Sequence, residues 1–251
     1  MRAKFDATGE VAIITGGASG IGAELARGYA AAGGTAVVFD VDSLPDMDLD
    51  SGRVLHFSVD VSDRAAVVTA VAHVVDTFGR IDGLIAGAAI QPRVDLVETP
   101  AELWERTIAV NLNGVVWACQ AVVPQMLTQR SGAIVAYSSG LARFGRGQAA
   151  AYAASKGAIE PFVKSLAAEV AEAGIRVNVI YPGVIDTEQF QRANPTGSER
   201  EHWQRTTGIG TPADVLGPLL FLLSDAATMS GSTLTRDRAY PQTMRESTDG
   251  E

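Results

Sequence analysis

The stretch TGGASGIG, Thr15–Gly22, follows directly on the apolar run Val11-Ala12-Ile13-Ile14. Gly16, Gly20 and Gly22 are spaced through it, and Gly17 adds a fourth glycine. Glycine loses more conformational freedom on folding than any other residue, so such a cluster marks a backbone that turns sharply or lies against another group. A strand, a glycine turn and a helix beginning near Gly20-Ile21-Gly22 aim unpaired N–H groups and the positive end of a helix dipole at one point. That is a bed for an anion, and a pyrophosphate fits it. The spacing G-x-x-x-G-x-G is a relative of the dinucleotide fingerprint with one residue moved; standing alone it also suits a plain tight turn.

Outward from this turn the chain alternates short apolar runs with longer Ala-rich segments. Strands are expected at Val11–Thr15, Ala36–Asp40, Val54–Val59, Gly83–Ala86, Ala133–Ser138 and Arg176–Tyr181. Helices are expected at Ile21–Ala32, Arg64–Phe78, Leu103–Leu127, Ala151–Ala173 and Pro212–Leu223. Near-continuous apolar strands between helices indicate a parallel sheet covered on both faces, and right-handed crossovers make it a doubly wound α/β fold of the Rossmann type. No linker or internal repeat divides the chain, so residues 1–251 read as one domain. Ser43–Gly52 is too short and proline-marked for a crossover helix. Thr187–Thr211 is a long polar excursion of the kind that forms lids, and the tail after Tyr240 reads as solvated.

Composition narrows the function. The 251 residues are 47% hydrophobic, as a globular core requires, and carry a net charge of -9 that argues against a nucleic-acid partner. One cysteine, Cys119, excludes an internal disulfide and a cysteine-built zinc cage, and His56, His73 and His202 show no metal spacing. Cys119 reads as a small apolar residue inside a helix. No signal-peptide pattern opens the chain and no apolar run reaches membrane-spanning length, so a soluble cytoplasmic protein is expected.

Asp40 stands 18 residues after Gly22, at the end of the second strand. An acid there accepts hydrogen bonds from the hydroxyls of an adenosine ribose. Asp42, Asp46, Asp48 and Asp50 add negative charge, and no Arg or Lys stands beside Asp40 in sequence to receive a 2′-phosphate. NAD is therefore expected over NADP.

Tyr152-Ala-Ala-Ser-Lys156 opens a predicted helix, which puts Tyr152 and Lys156 one turn apart on one face. A tyrosine ionises near pH 10 by itself, and a neighbouring ammonium favours its phenolate. Such a pair beside a dinucleotide can give or take the proton of an alcohol while hydride moves. Tyr-x-x-x-Lys is common by itself. Here Ser139 lies 13 residues earlier, after the run Ile134-Val135-Ala136-Tyr137-Ser138, and Asn111 lies in VNLNG. Together with TGGASGIG and YAASK, these residues resemble the short-chain dehydrogenase/reductase family in its shorter single-domain branch. The resemblance runs from about Val11 to Gly231 and includes Asp60-Val61 and Pro182-Gly183 followed by Thr187.

The resemblance implies an NAD-dependent alcohol dehydrogenase or ketone reductase. Tyr152 would be the general acid/base and Lys156 would lower its pKa and hold the nicotinamide ribose. Ser139, favoured over Ser138 by its spacing, would bind the substrate oxygen, and Asn111 would hold a water in a proton relay. It implies a cofactor surface of Gly16, Ser19, Gly20, Ile21, Gly22, Asp40, Asp60, Val61, Ala88, Tyr152, Lys156, Pro182, Gly183, Val184, Ile185 and Thr187, and no metal. It further implies a homo-oligomer, a tetramer or dimer, through the helices Leu103–Leu127 and Ala151–Ala173.

The chain departs from the family pattern in three places. Ala86-Gly87-Ala88-Ala89 stands where relatives read Asn-Asn-Ala-Gly, so an amide expected to brace the sheet is gone. Thr233–Pro241 replaces a Val-Asp-Gly-Gly-like strand and turn, and the Ser43–Gly52 crossover is short. Substrate-facing residues are expected among Gln91, Arg93, Leu141, Arg143, Phe144, Arg146, Gln148, Val184, Phe190 and Trp203. The arginines suit a carboxylate or a polyol, the aromatics an apolar group, and the sequence does not choose. A regulatory nucleotide-binding protein on the same fold would be expected to lose part of the Asn-Ser-Tyr-Lys set, which this chain keeps whole. An epimerase or dehydratase of the longer branch needs a larger C-terminal region, and an enoyl reductase a wider Tyr–Lys spacing.

Overall fold

The computed structural model describes residues 4–44 and 53–236. Seven parallel strands form one sheet in the order β3-β2-β1-β4-β5-β6-β7. They are β1 Val11–Thr15, β2 Thr35–Asp40, β3 Val54–Ser58, β4 Gly83–Ala86, β5 Gly132–Tyr137, β6 Ile175–Tyr181 and β7 Thr233–Thr235. Six match the expected strands to within a residue at each end. The seventh lies in the segment that departs from the family pattern, yet Val179, Ile180 and Tyr181 pair with Thr233, Leu234 and Thr235. Only its three residues and Arg236 fall within the described chain, and most of the Ser43–Gly52 crossover and the tail after Tyr240 lie outside it.

Side-chain alternation along the strands divides the core into two layers. Ile13, Phe39, Leu84, Ile134 and Val177 face α2 (Arg64–Phe78), α4 (Gly114–Gln129) and α7 (Ile159–Val170). Ile14, Val38, Ile85, Val135 and Ile180 face α1 (Gly20–Ala31) and α10 (Ala213–Leu223). Burial on both faces is why these strands read as unbroken apolar runs rather than alternating ones.

α3 (Ala101–Ile108) runs through a π turn, Ala109–Asn113, into α4. The continuous Ala101–Gln129 helix is long and apolar enough to cross a membrane by length and composition. Val115, Ala118, Cys119, Val122 and Met126 instead bury its face against the sheet. The expected helix Ala151–Ala173 is two helices, α6 (Ala150–Gly157) and α7, meeting at Ala158. The excursion 187–211 is not an irregular loop. It forms α8 (Glu188–Ala193), capped by the Thr187 hydroxyl, and α9 (Gly197–Thr206), whose Thr196 and Glu199 make a reciprocal capping box. A short α5 (Leu141–Phe144) follows Ser139.

Candidate active site

β1 and β4 are the strands at which the chain order reverses, and ligands of open α/β sheets bind in the crevice beyond the carboxyl ends at that point. A cavity of about 500 Å³ lies there. At its floor Gly16 has φ +73°, and a Cβ added to it would stand 2.7 Å from Ala88 Cα. A Cβ on Gly22 would collide with the Gly16 carbonyl oxygen. These are the close approaches that exclude any side chain. Ser19 caps α1 without using its side chain, and no acid occupies the first turn, so the helix N-terminus presents N–H groups and dipole to the cavity. The cradle therefore fits a pyrophosphate.

The residues that the sequence singled out for the cofactor converge on this space. Gly16, Ser19, Gly20, Ile21, Gly22, Asp40, Asp60, Val61, Ala88, Pro182, Gly183, Val184, Ile185 and Thr187 all line it. Asp40 ends β2 and accepts a hydrogen bond from Ala18 N at 2.9 Å, tying the glycine turn to the acid beside it. Asp60 accepts from Ser62 N at 2.9 Å and from Arg106 at 2.9 Å. Partial burial opposes its charge, but the bonds from Ser62 and Arg106 prevail and hold its carboxyl below the ordinary value. Arg106 also lines the cavity, and the sequence reading missed it because it lies 46 positions from its partner in the chain.

The amide missing from Ala86-Gly87 is replaced in part by Thr15, whose Oγ1 accepts from Gly87 N at 3.0 Å and Ala88 N at 3.2 Å. Tyr137 packs its ring over the space beside Gly87, where an added Cβ would lie 3.2 Å from Tyr137 Cε2. The sheet centre is thus braced by a strand hydroxyl and an aromatic ring.

Tyr152 and Lys156 lie one turn apart on α6, both buried and both on the cavity wall with Ser139. Burial pushes the Tyr152 phenol up, and a hydrogen bond with Ser139 pulls it back part of the way. The lowering by Lys156 expected from the sequence is not part of that balance. Its Nζ donates instead to the Tyr137 carbonyl at 2.9 Å, and burial pushes its own pKa down to about 8. Ser139 Oγ accepts from Leu141 N at 3.2 Å, whereas Ser138 Oγ donates to the Lys156 carbonyl at 2.8 Å. The Ser138 hydroxyl is thereby a brace for α6.

Asn111 sits in the π turn, fully buried, and its amide bonds both backbone groups of Ile90, at 2.8 Å and 2.9 Å, and Ser155 Oγ at 3.1 Å. Its side chain welds the loop after β4 to α6. Cys119 is buried, and burial pushes its thiol up to about 12, which suits the packing role expected for it.

Of the substrate-facing candidates, Gln91, Leu141, Phe144, Arg146, Val184, Phe190 and Trp203 line the cavity. Arg93, Arg143 and Gln148 do not. Arg143 lies over the Tyr181 ring at 4.8 Å and pairs with Glu160 at 3.6 Å, outside the site. Thr187 caps α8 by accepting from Phe190 N at 3.2 Å while lining the cavity.

Residues 10–197 match the family model described as short chain dehydrogenase. The D-threitol dehydrogenase of Mycolicibacterium smegmatis is 36% identical over 245 residues, covering 94% of each chain. A 3-ketoacyl-(acyl-carrier-protein) reductase from Brucella melitensis, complexed with NADH, superposes with a TM-score of 0.84 at 28% identity, covering 92% of this chain and 97% of its own. A protein from Beutenbergia cavernae assigned as an NAD(P) dependent gluconate 5-dehydrogenase, with NADP at low occupancy, superposes with a TM-score of 0.86 at 30% identity, over 93% and 97% of the two chains. With its sheet order, its glycine cradle and this match over most of its length, the chain belongs to the short-chain dehydrogenase/reductase family.

Proposed function

We propose that this protein is an NAD-dependent dehydrogenase that interconverts a secondary alcohol and a ketone. The observation that carries the reading is the convergence of Ser139, Tyr152 and Lys156 on the cavity that also holds the glycine cradle and Asp40. Bound at that cradle, the dinucleotide supplies the hydride acceptor. Tyr152 takes the alcohol proton in oxidation and returns it in reduction, and Ser139, already bonded to Tyr152, holds the substrate oxygen. Charge developing on that oxygen is stabilised by the same hydroxyl. Lys156 holds the nicotinamide ribose and, once directed to it, supplies the positive charge that favours the Tyr152 phenolate. Asn111 fixes the loop after β4 against α6, and its π turn is where a relay water would be held.

Asp40 and Asp42 on the cavity wall favour NAD, since a 2′-phosphate would meet their charge. Relatives named as threitol and gluconate dehydrogenases make a polyol or sugar acid the natural substrate class. The same reading carries assembly as a dimer or tetramer through the faces of α4 and α7, and a cytoplasmic location. The test is formation of NADH or NADPH by the purified protein over a panel of secondary alcohols, polyols and hydroxy acids, with Tyr152→Phe as the control. Turnover with NAD, lost in the variant while NADH still binds, is expected. A variant that keeps most of its kcat overturns the role given to Tyr152.

A further inference from the structure

The carboxylates on the cavity wall are gathered at one end. Asp40, Asp42 and Asp60 stand at the ends of β2 and β3, where the adenosine half belongs. Beyond Ser139 and Tyr152, among the segments that follow β5 and β6, the described lining residues include Arg146 and Arg192 and no carboxylate.

Arg146 is held in place from three sides. Its Nη1 donates to Asn194 Oδ1, its Nη2 pairs with Glu199 Oε1 at 2.7 Å, and its guanidinium lies 5.4 Å from the Trp203 ring centre. Trp203 Nε1 donates to the same Asn194 oxygen at 2.9 Å. Arg93 reaches Glu199 Oε1 as well, at 3.6 Å. The other Glu199 oxygen is committed to the capping box, accepting from Thr196 Oγ1 at 2.9 Å. One carboxylate oxygen therefore serves two guanidinium groups, and the cluster keeps one positive charge in excess. Arg93 Nε is buried with no hydrogen-bond partner, a cost that folded proteins rarely leave standing. Burial and the Arg93 charge both push the Arg146 pKa down, as expected where two cations are forced together.

A latch between the 90–95 loop, the 145–149 loop and α9 needs one arginine facing Glu199. Arg93 also donates to the Ala193 carbonyl at 2.9 Å and to Gln148 Oε1 at 3.1 Å, so it ties these segments together, yet it leaves its charge beside Arg146. An anion entering from the cavity against Arg146 would balance that charge. The Arg146 guanidinium, pinned on the indole and already oriented, keeps N–H donors beyond those given to Asn194 and Glu199, and a carboxylate that accepted them would balance the excess charge.

We propose that this end of the cavity binds the carboxylate of a hydroxy acid, or of the corresponding keto acid, with Arg146 as the residue that selects it. The proposal rests on the dehydrogenase reading for the oxidised alcohol, but the anion site is testable without turnover.

The experiment uses paired probes differing in charge: 3-hydroxybutyrate against butane-1,3-diol, and gluconate against sorbitol. Binding is read by calorimetry on the protein with and without NADH, and turnover by NADH formation. In at least one pair the carboxylate is expected to bind at least tenfold more tightly, with a matching preference in kcat/KM. Arg146→Gln abolishes the preference and Arg146→Lys restores part of it. Far-ultraviolet circular dichroism and the NADH dissociation constant show whether each variant keeps its fold. Equal or better binding of the neutral member in every pair overturns the proposal, as does a preference that survives in a folded Arg146→Gln. Carboxylate binding lost with Arg146, but without turnover of any alcohol, supports the anion site and counts against the dehydrogenase reading instead.

Discussion

Lys156 Nζ donates to the backbone carbonyl of Tyr137, 2.9 Å away, and so an ammonium of the candidate site lies buried against β5. Burial pushes its pKa from about 10.5 down to about 8. In the unfolded chain the amine holds its proton to about pH 10.4, whereas the folded protein releases it near 8. Between those values the unfolded state binds more protons, so stability rises with pH across that window. Thermal melts of the wild type and Lys156→Met from pH 7 to 10.5 are expected to diverge accordingly. The wild type gains on the variant as pH rises, by roughly 3 kcal/mol at most. Parallel curves would show that the lysine is not desolvated.

Burial raises the Tyr152 phenol and the Ser139 bond lowers it. Alcohol oxidation needs the phenolate, so its kcat/KM is expected to rise with pH to a plateau, while ketone reduction falls at high pH. Ser139→Ala removes the lowering bond and shifts both inflections to higher pH, with a loss of rate of about 10²–10⁴-fold as for other positioned proton-transfer groups. Profiles that keep their inflections in the variant would contradict the Ser139–Tyr152 coupling.

Asp40 ends β2 and binds the turn at Ala18 N. Asp40→Asn keeps a side-chain oxygen for that bond and removes the charge. The ratio of NADPH to NADH affinity, read by fluorescence titration, is expected to rise about fivefold, since one unit of repulsion at about 4 Å in water is worth about 1 kcal/mol. An unchanged ratio would mean that another group selects the cofactor.

Gly87 and Tyr137 share one space. A Cβ at Gly87 meets the Thr15 carbonyl oxygen at 3.0 Å and Tyr137 Cε2 at 3.2 Å. Gly87→Asn, which reinstates the family's amide, is therefore expected to destabilise by about 1–3 kcal/mol. Tyr137→Val opens the space, and the double variant should cost less than the two single changes together by about 1 kcal/mol. Urea denaturation midpoints at constant m-value measure the cycle, and strict additivity would show that the ring and the amide do not compete.

The sheet and the cradle were legible because their signals are local. Apolar strand runs owe their identity to burial on both faces and the glycines at 16, 20 and 22 theirs to the turn they make, so the sequence by itself determined the doubly wound sheet and the place of the candidate site. The four candidate residues Asn111, Ser139, Tyr152 and Lys156 were named from motif spacing; the structure brings Ser139, Tyr152 and Lys156 to one wall, while Asn111 lies buried behind it, bonded to Ile90 and Ser155. The sequence did not show what each side chain bonds. Lys156 turns to a strand carbonyl, Asn111 to Ile90, and Thr15 and Tyr137 take over from a missing amide. Nor did it show that the polar 187–211 segment folds into two capped helices, because its few apolar residues give no clear period. Of three arginines with equal claims on the substrate, only Arg146 lines the cavity. That choice depends on Glu199 and Asn194, 53 and 48 positions away in the chain. Hydrogen bonds and ion pairs between distant segments leave no periodic trace in a sequence, and only the tertiary structure decided them.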